Sequence, residues 1–170
     1  MLMTQSIFTS PVGHILIKCD AVFITALLFT DESGSQKIEN ELYVNTIEEI
    51  EVIEKCRQQL TEYFEGKRTS FDLPLQQDGT DFQQKIWAEL LRIPFGQTIS
   101  YMELAKRTGD TKAIRAVGTT NGKNQLSIVV HCHRVIGSNG TLTGYSGGLW
   151  RKQWLLEHEA VIAHGVQTLF

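Results

Sequence analysis

Cysteine is sparse in this chain of 170 residues: Cys19, Cys56 and Cys132 are the full set. An odd number with no Cys-x-x-Cys spacing argues against a disulfide framework or a zinc knuckle, and fits a reducing compartment. Long hydrophobic runs are also missing. The longest, Ala21 to Phe29, is interrupted by Thr25 and falls far short of the roughly 20 apolar residues a bilayer span requires. The amino terminus has no basic segment ahead of an apolar stretch and a cleavage site, so no secretory leader is expected. These absences point to a soluble, cytoplasmic protein with no membrane partner, no metal site and no cofactor. With 42% hydrophobic content, the chain can still build one good core or two small ones.

Net charge is −3, but the two signs are segregated. From Asp31 to Glu65 ten carboxylates face three cations, a net −7; from Gly96 to Lys152 eight cations face Glu103 and Asp110, a net +6. The second half is basic enough to hold a polyanion that the first half would repel, and nucleic acid is the obvious polyanion inside a cell.

Ile7 to Asp20 and Val22 to Phe29 read as two strands, with alternation in His14-Ile15-Leu16-Ile17-Lys18, a turn at Pro11-Val12-Gly13 and another at Asp20-Ala21. Thr46-Ile47-Glu48-Glu49 is a capping box. Ile47, Ile50, Ile53, Leu60 and Phe64 then share one helical face until Gly66 stops the helix. Cys19 and Cys56 read as core thiols. A polar linker at Pro74 to Gly79 places a domain boundary between residues 1–77 and 78–170. Beyond it, Thr80 to Ile93 forms a helix with Phe82, Ile86, Trp87, Leu90 and Ile93 toward a core and Pro94 at its end. Ser100-Tyr101-Met102-Glu103 caps a short helix through Thr108. Gly109-Asp110 turns the chain, and Thr111 to Asn121 forms the next helix, with Ala113, Ala116 and Val117 on a small-residue face and Lys112 and Arg115 outward. Two short helices around a glycine turn make a helix-turn-helix pattern. The expected fold is α/β (α+β): a small sheet-plus-helix domain, then a helical, winged-helix-like domain.

Leu126 to Val130 reads as a short buried strand that delivers Val129-Val130-His131-Cys132-His133-Arg134-Val135-Ile136. A thiol works as its thiolate, and neighbouring imidazoles and a guanidinium are the groups that lower its pKa and take its proton. A buried core cysteine beside surface histidines is the plainer alternative. Gly137 to Gly148 is a glycine-rich loop without a phosphate-binding fingerprint, suited to a pocket wall against a flat ligand. Leu149 to Glu159 is the last helix.

Between Thr80 and Glu159 the chain resembles one family, the O6-alkylguanine-DNA alkyltransferases or methylated-DNA–protein-cysteine methyltransferases. The resemblance rests on Phe95-Gly96, Ile99-Ser100-Tyr101, Ala113-Ile114-Arg115-Ala116-Val117-Gly118, Asn124, Cys132-His133-Arg134-Val135, Gly144-Tyr145-Ser146-Gly147-Gly148-Leu149 and Trp154-Leu155-Leu156-Glu157-His158-Glu159. It implies a single-turnover repair reaction in which O6-alkylguanine, with O4-alkylthymine as a further candidate, is flipped from double-stranded DNA and its alkyl group moves irreversibly to cysteine. By this resemblance Cys132 is the nucleophile, His133 its general base through a water, Glu159 the carboxylate that orients the imidazole, and Tyr101 the donor to the leaving guanine. Arg115 fills the vacated stack from a minor-groove helix, with Thr111, Lys112, Ala116 and Lys123 as further DNA contacts. Asn124 braces the cysteine loop, and Tyr101, Asn124, Arg134, Val135, Tyr145, Ser146 and Gly147 form the base pocket. The protein is expected to act as a monomer, with cooperative binding on DNA left open.

Three positions depart from the family, which usually has proline at His131 and Gln125 and in some members at Ser127; proline fixes φ and limits loop motion. His131 is expected to act through its backbone, leaving a more mobile loop, because neighbours on an extended strand point to opposite faces. Two rivals remain: a damage sensor that binds alkylated DNA without repairing it, and a hydrolase built on Cys132, His133 and Glu159.

Overall fold

The computed structural model describes residues 4–30 and 47–165. They fall into two compact units, Met1–Gln77 and Asp78–Phe170.

Among its described residues the first unit holds three strands rather than two. β1 (Thr4–Ser10), β2 (Gly13–Cys19) and β3 (Ile24–Thr30) form an antiparallel sheet in that order. The expected long strand from Ile7 breaks at Pro11, which has no N–H for the ladder. Ser10 Oγ accepts from the Val12 N–H at 3.2 Å and donates to the Gly13 carbonyl at 2.7 Å, and Gly13 supplies φ +98°. At the next turn Asp20 Oδ1 accepts from the N–H groups of Val22 and Phe23, an Asx turn that starts β3. Ile15, Ile17 and Cys19 are buried on one face of β2.

Helix α1 (Ile47–Phe64) packs on this sheet with Ile53, Cys56, Leu60 and Tyr63 buried. Its inward face is turned slightly from the expected one, so Tyr63 rather than Phe64 is the core aromatic. Gly66 ends the segment at φ +73°. The proposed cap at Thr46 lies outside the described residues. Pro74 to Gln76, expected as free linker, docks on the sheet instead: Ile24 N–H donates to Pro74 O at 2.8 Å and Gln76 N–H to Ile24 O at 3.0 Å.

The second unit is built on helices α2 (Asp81–Leu90), α3 (Tyr101–Thr108), α4 (Ile114–Gly122) and α5 (Leu149–His164). Two-residue strands β4 (Ile99–Ser100) and β5 (Val135–Ile136) pair in parallel. Thr80 and Gln83 form a reciprocal capping box on α2, a device typically worth about 1 kcal/mol. Trp87 Nε1 donates to the Thr120 carbonyl at 3.1 Å and Lys85 Nζ to the Thr108 carbonyl at 2.7 Å, fixing α2 to the ends of α4 and α3. Phe82, expected in the core, is exposed. Ser100 caps α3, Gly109 closes it at φ +93°, and a 3₁₀ turn over Thr111–Ala113, capped by Asp110, leads into α4. The two short helices of the helix-turn-helix pattern are therefore present, joined through Gly109 and the 3₁₀ turn and packed on each other. Of the small-residue face, Val117 is buried and Ala116 exposed, and Val117, Thr120 and Asn121 are the buried residues of α4.

Candidate active site

Asn121, in the last turn of α4, and Asn124, just beyond its end, hold the next loop. Asn124 Oδ1 accepts from the Leu126 N–H at 3.0 Å, while its Nδ2 donates to the Val130 carbonyl at 3.1 Å and to the Cys132 sulfur at 3.2 Å. Asn121 Nδ2 donates to the Cys132 carbonyl at 3.3 Å. Between them, Leu126 to Val130 is not a strand. The segment is fully buried but turns on itself, with Val129 N–H bonded to Ser127 O, Val130 N–H to Leu126 O, and Ile128 at φ +72°. A run of branched apolar residues looks like a strand because burial and strand preference coincide; here asparagine bonds replace a ladder.

Cys132 opens a 3₁₀ turn, Cys132–Arg134. That turn breaks the alternation of an extended chain and brings His133 to α5. His133 Nε2 lies 2.7 Å from Glu159 Oε1, both side chains fully buried. Glu159 also accepts from Arg134 Nε (2.8 Å), Arg134 Nη2 (3.0 Å) and the Gly96 N–H (3.3 Å). Burial alone would raise the Glu159 carboxyl, but His133 and Arg134 hold it well below the usual carboxylate range. An ionised Glu159 only accepts, so Nε2 carries the ring hydrogen of neutral His133. Nδ1 is then an acceptor, and it is buried with no hydrogen-bond partner among the described residues.

The thiol is not pre-activated as its neighbours in sequence suggested. Burial pushes the Cys132 pKa up against the opposing effects of Asn124 and Lys152. Arg134 is 1% exposed, committed to Glu159 and to the Ile93 carbonyl (Nη1, 2.6 Å), with its guanidinium over Phe95. The sequence placed it in the base pocket; here its guanidinium is bonded to Glu159 and Ile93. His131 is also buried, its Nδ1 2.9 Å from Ile128 O. Burial first, then Arg134 and His133, drive its pKa down to about 3. Its side chain ties the loop together, contrary to the expectation of a backbone effect alone.

Lys152 is more than a contributor to basic charge. It is fully buried, and Nζ donates to the carbonyls of Thr143 (3.1 Å) and Gly144 (3.2 Å) and reaches Tyr101 Oη at 3.5 Å. Tyr101 Oη itself donates to Thr143 O at 3.0 Å. Burial lowers the Lys152 pKa to about 8, against the pull of Cys132. The spacing 152, 155, 156, 159 on one helical face was the signal available. Arg151 Nη1 likewise donates to Gly147 O at 2.9 Å. These two cations pin the glycine-rich loop. Within it the Tyr145 hydroxyl is buried and its pKa raised well above the usual value by burial and then by Cys132; Ser146 is exposed and Gly147 buried. Val135 is buried in β5 beside Ile99.

Of the eight cations counted in the basic half, Arg134, Arg151 and Lys152 are thus internal, and Lys106, Arg107, Lys112, Arg115 and Lys123 are exposed. Thr111, Lys112, Arg115, Ala116 and Lys123 all lie exposed on α4, its 3₁₀ lead-in or the residue that follows it. Among the described residues, no group of three or more His, Cys, Asp or Glu could hold a metal ion.

A buried thiol, a histidine of fixed tautomer and its carboxylate, in one unit with a basic helix-turn-helix, define a cysteine-centred protein equipped to meet a polyanion. Comparison with known proteins narrows this. Residues 81–161 match the family model of the 6-O-methylguanine DNA methyltransferase DNA binding domain, and residues 3–77 that of its ribonuclease-like domain. The methylated-DNA–protein-cysteine methyltransferase of Methanosarcina acetivorans is 43% identical over 92% of this chain and 98% of its own length. That of Mycobacterium bovis is 54% identical over 66% of this chain and 68% of its own. A crystal structure of the Mycobacterium tuberculosis O6-methylguanine methyltransferase superposes with a TM-score of 0.82 at 37% identity, covering 97% of each chain. Another, of Mycobacterium tuberculosis OGT in complex with DNA, gives 0.80 at 39% over 93% of each. The chain belongs to the methylated-DNA–protein-cysteine methyltransferase family.

Proposed function

We propose that this protein repairs alkylated DNA by flipping O6-alkylguanine out of the duplex and moving the alkyl group irreversibly onto Cys132. The observation that carries the reading is the His133–Glu159 pair, which leaves Nδ1 as a buried acceptor on the residue that follows Cys132, whose thiol is protonated at rest. His133 takes the thiol proton, through a bridging water in the family's manner. The sulfur attacks the alkyl carbon, the carbon–O6 bond breaks, and the guanine leaves with a proton from Tyr101. Lys152 supplies positive charge to the transient thiolate, and Asn124 donates to it. Arg115 holds the vacated stack while Thr111, Lys112, Ala116 and Lys123 meet the DNA around it. Tyr101, Asn124, Val135, Tyr145, Ser146 and Gly147 surround the base.

A thioether is a dead end that no residue here can hydrolyse, so each molecule acts once. The odd set of three cysteines without Cys-x-x-Cys spacing supports a reducing, cytoplasmic setting, and no described helix is long and apolar enough to cross a membrane. The test is to incubate the protein with duplex DNA carrying labelled O6-methylguanine and count label per protein. One methyl group on Cys132 is expected, with none on Cys132→Ala, which should still bind DNA. Multiple turnovers would favour the hydrolase, and binding without transfer the sensor.

A further inference from the structure

Arg134 spends three nitrogens on two partners. Nε and Nη2 span both oxygens of Glu159, at 2.8 Å and 3.0 Å, and Nη1 holds the Ile93 carbonyl at 2.6 Å. The guanidinium also lies over Phe95, 5.6 Å from the ring centroid, and the side chain is 1% exposed. It cannot swing to solvent without breaking all of these. The same Glu159 Oε1 that receives Nη2 also receives His133 Nε2, so a single carboxylate serves a permanent cation and a titratable ring.

We propose that Arg134 is a positioning residue: by neutralising Glu159 it keeps His133 in the uncharged Nε2–H form whose Nδ1 is open to the thiol proton. This rests on the repair reading above, in which His133 is the base.

The argument is a proton count. With Arg134 in place, ionised Glu159, charged Arg134 and neutral His133 sum to zero, which a buried site tolerates. Without the guanidinium, a lone carboxylate would be left in the interior, and the His133–Glu159 pair would take up a proton to cancel it. That proton has two places to go. On the ring it makes an imidazolium with hydrogen on both nitrogens. On the carboxyl it turns Glu159 into a donor toward Nε2, and the ring hydrogen moves to Nδ1. In both cases Nδ1 carries hydrogen and cannot accept one from Cys132.

The other charged and titratable groups around the ring do not replace Arg134. Lys152 on α5 disfavours imidazolium too, but it is bonded to Thr143, Gly144 and Tyr101, not to Glu159. His131, in the loop before the turn, is 6.1 Å from the His133 ring by centroids and stays neutral. Cys132 is a thiol at rest. Directions agree: burial lowers the His133 pKa most, Glu159 opposes it, and Arg134 and Lys152 lower it further. Only an arginine provides the planar fork that covers both carboxylate oxygens and still reaches Ile93.

The test uses the full chain labelled at its histidine rings. His133 protonation and tautomer are read by NMR between about pH 5 and 8, and single-turnover transfer from O6-methylguanine duplex is read over the same range. In Arg134→Met the ring's titration and the acid limb of the rate should both move up by about 1–3 pH units, with Nδ1 protonated below that point. Arg134→Lys should show a smaller shift, and Arg134→Met with Glu159→Gln should return the ring to the neutral form. Should Arg134→Met fail to fold, the last two variants decide the matter. An unchanged His133 titration in the folded variants, with rate lost by the same factor at every pH, overturns the proposal and leaves Arg134 a purely structural clamp. Absence of transfer by the wild type at any pH sinks the repair reading instead, and the ring titration still reports on Arg134.

Discussion

The side-chain amide of Asn124 donates to both the Cys132 sulfur, at 3.2 Å, and the Val130 carbonyl, at 3.1 Å, so one residue closes the loop and solvates the nucleophile. Asn124→Ala should cost about 1–3 kcal/mol of stability, because buried loop groups lose their partner. The thiol pKa should rise further, and transfer should slow. Urea unfolding and single-turnover rates on one preparation check both. An unaltered rate in a destabilised variant would reduce Asn124 to a brace.

Lys152 keeps its charge only up to about pH 8. Above that, the Cys132 thiolate loses its buried counter-charge, so transfer should decline as pH rises through about 8. In Lys152→Met that alkaline limb should vanish, and the neutral-pH rate should be lower by roughly 10-fold or more. Persistence of the limb in the variant would assign it to another group.

His131 stands at φ −82°, close to proline's range, and no bond to its N–H occurs among the described residues. Its imidazole protonates near 6.5 in the unfolded chain and only near 3 in the native one. Between those values the unfolded state holds the extra proton, so stability falls as pH drops, by up to about 1.4 kcal/mol per pH unit. His131→Pro should therefore be within about 1 kcal/mol of the wild type at neutral pH, where the gain from a stiffer unfolded chain offsets the lost Ile128 bond. It should be clearly more stable at mildly acidic pH. Parallel unfolding curves at both pH values provide the comparison; an equal acid sensitivity would show that His131 is not the titrating group.

Arg115 is exposed on α4. Arg115→Ala should slow repair in duplex DNA and leave reaction with free O6-benzylguanine nearly unchanged, since only the duplex has a stack to refill. Equal losses on the two substrates would move Arg115 into the pocket.

The helices of the second unit were legible because Thr80, Ser100 and Gly109 announce their ends through local chemistry. The first hairpin was harder, since β1 and β2 read as one alternating stretch unless Pro11 is taken as a break. Cys132, His133 and Glu159 could be named as a set from the family's motifs, yet their electrostatics could not. Contiguity suggested that Arg134 and both histidines activate the thiol; in the fold Arg134 turns to Glu159, His131 to Ile128, and burial leaves the thiol protonated. Lys152 was hidden for the same reason: burial of a lysine is a tertiary fact that a charge count mistakes for surface.

Ile128, a β-branched residue at φ +72°, has a bearing on how the protein is made. Left-handed backbone is disfavoured for such a residue by roughly 1–3 kcal/mol, so nothing local drives this turn, and the packed surroundings must impose it. The nucleophile's setting should thus be among the last parts of the second unit to form. A newly synthesised chain has its cysteine before it has its base, its amide donor or its buried cation, and until the turn closes over it the exposed sulfur is open to stray alkylating agents that the folded site keeps out. In pulsed amide exchange during refolding, the Val129, Val130 and Arg134 amides should gain protection after those of α2 and α4; early protection there would show that the turn helps to nucleate the fold.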